Sequence, residues 1–164
     1  MTSQPQPDLY STAQVQRVAC VTARQLQWWD ERGILSPAQH DHRRAYEPRQ
    51  VMGALLFREV LERGFTLRIC ARIWRSIERQ APVWSDITRG WLVTNGERVM
   101  LLGERDTVLA FLEQRRTPIY ALISLDDLAG RMTEQTARCT LRRGPGVARE
   151  AVPARTEVRG VREA

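Results

Sequence analysis

The chain contains no lysine; all 25 of its basic residues are arginine. Cysteine is scarce. Cys20, Cys70 and Cys139 are odd in number and far apart in the chain, so no disulfide framework is implied. The two histidines, His40 and His42, flank Asp41 but lack third and fourth ligands at a usable spacing, and no metal site is expected there. No apolar run reaches the roughly 20 residues that span a bilayer. The N-terminus carries Gln and Pro where a targeting peptide would carry an apolar core, so the expected compartment is the cytoplasm. A Ser/His/Asp arrangement, a Gly-rich phosphate loop and a pair of catalytic carboxylates are all missing from the pattern. The expectation is therefore a non-enzyme without cofactor and without membrane contact.

What the chain does have is positive charge, unevenly placed. The formal net charge is +6 and the pI about 10.2. Residues 10–80 hold 12 Arg against 7 acids, residues 81–131 hold 6 against 7, and residues 132–164 hold 7 against 4. A surplus on one segment and on the tail, with a neutral stretch between, is the distribution of a nucleic-acid binder with a companion unit. Exclusive arginine is compatible with simple codon bias, yet arginine is also the better side chain for bidentate contacts to phosphate and guanine.

The stretch 10–37 organises the rest. Ser11 with Gln14 and Thr22 with Gln25 each form a capping box, so two short helices are expected. Val15, Val18 and Ala19 share a face of the first; Leu26 and Trp29 face back from the second. Cys20 and Val21 are left to turn the chain, which is the pattern of a helix-turn-helix. Gly33 ends the second helix. A polar, basic loop from Ala38 to Glu47 follows, where a winged helix carries its wing. A third helix starts near Pro48 and runs to Arg63, with an apolar side of Val51, Ala54, Leu55 and Leu61. Thr66 caps a fourth, from Leu67 to Gln80, and Ala81-Pro82 closes the unit.

The texture then changes. Asn95-Gly96 between two apolar runs signals a hairpin with a two-residue type I′ turn. Asp106 caps a helix to about Gln114, Ile119–Ile123 reads as a third strand, and Ser124 and Asp127 start a last helix that carries Leu125, Leu128, Ala129 and Met132. From Thr133 apolar periodicity fades and arginine recurs without a face. The expected fold class is α+β: a lead-in over 1–9 without fixed structure, a four-helix winged helix-turn-helix domain over 10–81, a ββαβα unit over 84–132, and a disordered basic tail over 133–164.

Taken together, Tyr10-Ser11, Val21-Thr22, Leu26, the aromatic pair Trp28-Trp29, Asp30-Glu31-x-Gly33-Ile-Leu-x-Pro37, the wing Arg44-Ala-Tyr46 and Gly64-Phe-Thr-Leu-x-Ile69 resemble the DNA-binding domain of the MerR family of bacterial transcription regulators. The resemblance covers about residues 10–80. The chain departs from the family pattern at Gln27, where Arg is usual, at Trp28-Trp29, where a tyrosine pair is usual, and at Cys20, a turn position usually Gly. It departs more where Pro82 and the hairpin replace the family's long dimerisation helix. So the mechanisms tied to that helix do not carry over.

The first turn of a recognition helix reaches base edges, which makes Thr22, Ala23, Arg24 and Gln25 candidates, Arg24 suiting guanine and Gln25 adenine. Gln27 joins them. Trp28 is either a phosphate contact through its indole N–H or a structural residue. Ser11 and Thr12 stand at the start of the first helix, as caps or as part of an anion site. The resemblance implies backbone contacts for Arg44 and Tyr46, and Arg43 fits beside them. Two helices on one face of a small sheet would leave the other face bare, so Trp91, Val93, Met100 and Leu102 are the expected dimerisation surface. The expected function is a dimeric, sequence-specific regulator on double-stranded DNA, with RNA polymerase a further candidate partner. The alternatives are an accessory or architectural DNA binder, such as an excisionase or an autorepressing antitoxin, and a protein-interaction adaptor.

Overall fold

The computed structural model describes residues 9–40, 42–81, 87–114 and 121–141. The calls on residues 1–8, on Pro82, on Ile119 and on 142–164 lie outside them. In chain order the elements are β1 (Tyr10–Ser11), α1 (Thr12–Ala19), α2 (Ala23–Glu31), β2 (Ala38–His40), β3 (Arg43–Tyr46), α3 (Pro48–Glu62), α4 (Leu67–Gln80), β4 (Trp91–Thr94), β5 (Val99–Leu102), α5 (Arg105–Gln114), β6 (Ala121–Ser124) and α6 (Leu125–Leu141). Helices and strands are mixed and both sheets are antiparallel, an α+β arrangement.

Both capping boxes form. Ser11 Oγ accepts from Gln14 N at 3.3 Å and Gln14 Oε1 accepts from Ser11 N at 2.8 Å. Thr22 and Gln25 repeat the exchange at 3.1 and 2.8 Å. Each box satisfies two amides that a helix start otherwise leaves without partners. Thr66 sits at the N-cap of α4 with extended backbone, but its side chain makes no capping bond, contrary to expectation. Glu104, whose carbonyl accepts from Val108 N at 3.1 Å, opens α5 in place of Asp106, which lies inside the first turn.

The wing is more ordered than a loop. Strands β2 and β3 pair as a hairpin, and β1 adds to it through Tyr10↔Tyr46 and Ser11↔Ala45, giving the order β1-β3-β2. The start of α1 is thereby pinned to the base of the wing.

Helix α3 is the centre of the molecule. Val51 through Phe57 are buried without a break, so the expected single apolar side is an underestimate and Leu61, placed on it, is only half-buried. The reason is that α1, α4 and α6 all pack on α3. Phe57 stands edge-on to Trp29 on one side and to Trp74 on the other, with ring centroids 5.2 and 5.9 Å apart. Gly53 lets α4 approach: a Cβ there would lie 2.9 Å from the Trp74 ring.

The second sheet has the order β5-β4-β6. Its hairpin differs from the expected type I′ turn. Thr94 pairs with Val99, so four residues form the loop, and only Gly96 has positive φ, at 87°. Asn95 Oδ1 instead accepts from the amides of Glu97 and Arg98 at 3.0 and 2.8 Å, and Arg72 donates to Gly96 O at 2.8 Å. A side-chain turn of this kind widens the loop and docks it on α4.

Two further corrections concern the helices around this sheet. Leu92, Leu101 and Ile123 face the main core with α4 and α6, while Val93, Leu102 and Leu122 face α5. The helices therefore lie on opposite faces, because the register places alternate residues on each. The expected bare face is partly covered: Val93 and Leu102 are buried with Val108, and Trp91 and Met100 are half-buried. Helix α6 continues to Leu141 instead of giving way to disorder at Thr133. Its later turns pack on α1, with Thr136 Oγ1 3.5 Å from Tyr10 Oη and Cys139 against the core; Arg131 pairs with Glu59 of α3 at 2.8 Å. One hydrophobic cluster consequently runs from Tyr10 to Met132.

Candidate nucleic-acid interface

The turn between α1 and α2 is made by Cys20, which has left-handed backbone (φ 52°, ψ 46°), followed by buried Val21 and the N-cap Thr22. Leu26 and Trp29 are buried, at 0% and 1% exposure, and fix α2 against the core. The spacing of those two anchors turns Thr22, Arg24, Gln25, Gln27, Trp28 and Glu31 onto one continuous solvent face. Ala23 is exposed beside them. Five of the residues expected from sequence to contact DNA thus share a helix face, and the sixth member, Glu31, is acidic.

These side chains differ in how free they are. Arg24 is exposed and has no ion-pair partner among the described residues. Gln25 Oε1 is occupied by Thr22, accepting from its N at 2.8 Å and its Oγ1 at 3.0 Å. Bidentate reading of adenine needs both ends of the amide, so Gln25 reaches a base with its Nε2 or gives up the cap. Gln27 Nε2 donates to Glu31 Oε1 at 2.8 Å. Trp28 is 44% exposed, and the Arg32 guanidinium lies over its ring at 4.2 Å. That cation–π contact holds a charge at the end of α2. The sequence reading missed Arg32, although an aromatic and an Arg at i, i+4 is a visible signal.

The wing meets α2 through one ion pair, Arg44 to Asp30 at 3.1 Å. Arg43, at the tip of the hairpin, is exposed and has no ion-pair partner among the described residues. Ser11 is exposed and Thr12 half-buried where β1 joins the wing, and the Ser11 hydroxyl already serves as a cap. Tyr46 is a correction. Its side chain is fully buried, in the cluster with Trp29 and Phe57, so it cannot present its hydroxyl to a phosphate as a wing contact. Tyr46 follows Ala45 at the base of β3, where alternation turns it inward. Its hydroxyl has no partner in hydrogen-bond geometry. Burial pushes the phenol pKa up, while Thr12 and Arg44 draw it back.

The other candidate chemistries find no support in the geometry. Among the described residues no three His, Cys, Asp or Glu side chains gather as a metal site. Burial pushes the Cys70 thiol up to about 12, which keeps it protonated. No helix among the described residues is long and apolar enough to cross a membrane.

Residues 10–77 match the family model of the MerR HTH family regulatory protein. No curated protein matches the chain. The matched span takes in both helices of the turn, the wing, α3 and most of α4.

Proposed function

We propose that this chain, whose residues 10–77 form a MerR-family helix-turn-helix domain, is a sequence-specific regulator that binds double-stranded DNA with α2 in the major groove and the wing on the backbone. The observation that carries this reading is the shared solvent face of α2. Two buried anchors hold it, an uncommitted Arg24 sits in its first turn, and an ordered arginine hairpin stands at its side. Arg24 contacts a base edge, with guanine the best fit to its geometry. Arg43 contacts phosphate directly. Arg44 does so by exchanging Asp30 for a phosphate oxygen. Trp28 and Arg32 act together at the end of the helix, against the backbone.

The test compares Arg24→Ala with Arg44→Ala on a selected duplex and on random duplex. Arg24→Ala weakens the selected site about tenfold or more and random duplex little. Arg44→Ala weakens both and flattens the salt dependence. Equal loss from the two variants on both duplexes contradicts the assignment.

A second reading is favoured by a specific feature: Glu31 and Asp30 place negative charge on the same face and tie up Gln27 and Arg44. A helix face dressed in this way suits a basic protein partner. Absence of duplex binding at low salt would favour this adaptor reading over the DNA reading.

A further inference from the structure

Helix α5 is the most weakly covered element of the molecule. It lies on the outer face of the second sheet and buries Val108 there, with Phe111 half-buried. Its other side carries Leu109 at 50% and Leu112 at 39% exposure, two of the four large apolar residues that are exposed among the described residues. Both lie on one stripe, three residues apart. Arg105 and Glu113 stand at the two ends of that stripe, exposed.

We propose that this face of α5 is a homodimer interface in which two copies of α5 pack antiparallel about a two-fold axis at Leu109. The charge pattern identifies the occupant. In an antiparallel pair centred on Leu109, each residue faces the one equally far on the other side of 109. Arg105 of one copy then meets Glu113 of the other, and symmetry repeats the pair. Along each helix the two charges are about 12 Å apart, which leaves the leucines between them to form the apolar centre. An isologous contact requires a surface that complements itself, and this stripe does: opposite charges at its two ends and leucine between them. A heterologous partner would have no need of that symmetry. The surface differs from the one expected from sequence, since Val93 and Leu102 are already buried beneath α5. It also lies outside α2 and the wing, so the proposal stands whether or not α2 reads DNA.

The test is sedimentation velocity on the full chain and its variants, over a concentration series and without DNA. The wild type is a dimer. The double substitution Leu109→Ser with Leu112→Ser raises the dimer dissociation constant at least tenfold, with an unchanged circular dichroism spectrum and unfolding midpoint, because both side chains are exposed. Arg105→Glu and Glu113→Arg each weaken the dimer several-fold, and combining them restores it. A wild type that stays monomeric to about 100 µM, far above the micromolar range of specific association, overturns the proposal. So does a leucine variant that remains as dimeric as the wild type. Failure of the combined charge reversal to restore association overturns the antiparallel geometry and with it the proposal.

Discussion

Arg44 of the wing and Asp30 of the recognition helix form an ion pair at 3.1 Å, bridging the two elements that the DNA reading assigns to backbone and groove. Both side chains are partly exposed, at 36% and 26%, so the pair contributes little stability, in the range of about 0–1 kcal/mol. Its weight falls on binding. Asp30→Asn frees Arg44 and removes a charge that repels phosphate. The expected result is tighter binding to random duplex and a salt dependence steeper by about one phosphate contact, or about 0.9 in log–log slope. Anisotropy titrations at several salt concentrations measure it. Weaker binding from Asp30→Asn would mean that the pair orients the wing and that its loss outweighs the freed charge.

Cys20→Gly should stabilise the fold. Cys20 holds φ at 52°, a conformation that costs a side-chain-bearing residue about 1–3 kcal/mol and glycine little. The greater freedom of glycine in the unfolded chain takes back about 0.4–1 kcal/mol. A net gain of about 1 kcal/mol, or about 3 °C in Tm for a chain of this size, is the expected outcome in thermal unfolding. A fall in Tm would show that the Cys20 side chain is worth more than its backbone strain.

Thr22→Ala should cost about 1 kcal/mol by removing the cap of α2 and its exchange with Gln25. Thr22→Ser should keep most of the stability, since the hydroxyl is what accepts the amide. Urea unfolding separates the two. Because the cap also holds Gln25, Thr22→Ala should shift base preference at one operator position even where α2 remains folded.

Tyr46→Phe should leave DNA affinity unchanged, because the side chain is buried. It should not destabilise the protein, and a gain of up to about 1 kcal/mol is expected. The hydroxyl is buried without a partner, and such a group carries a desolvation cost. The variant should also change the alkaline limit of stability. The Tyr46 phenol has its folded pKa above the ordinary 10.0, so the unfolded chain loses its proton first. That contribution is complete below pH 10 and is lost as pH rises through the folded value. Tyr46→Phe should lose less stability than the wild type between about pH 10 and 12, as read by chemical denaturation at each pH.

Much of the first domain was legible because its signals are local. The two capping boxes, the Leu26–Trp29 anchor pair and the stop at Gly33 rest on residues within a few positions of one another, and the structure repeats them. The strands of the wing were not legible. Ala-Gln-His and Arg-Arg-Ala-Tyr have only Tyr46 as a large apolar residue, and their pairing depends on β1, some 35 residues away in the chain. The same limit hid the burial of Tyr46, which comes from packing against Trp29 and Phe57. The Asn-Gly pair did mark a hairpin, but its turn type was set by the Asn95 side chain and by Arg72 of α4. The later turns of α6 carry Thr136 and Cys139 toward α1, residue types too weakly apolar to extend the pattern beyond Met132. The face of α2 was legible, since buried anchors imply an exposed complement. The tying of Gln27 to Glu31 and of Arg44 to Asp30 required coordinates.

The most direct measurement of the DNA reading is selection of bound sequences from a random duplex pool at physiological salt, carried out with the wild type and with Arg24→Ala. The account predicts an enriched motif containing a guanine whose preference disappears with Arg24→Ala while the rest of the motif persists. A pool that stays random after repeated rounds, with binding that depends only on salt, would contradict sequence reading by α2.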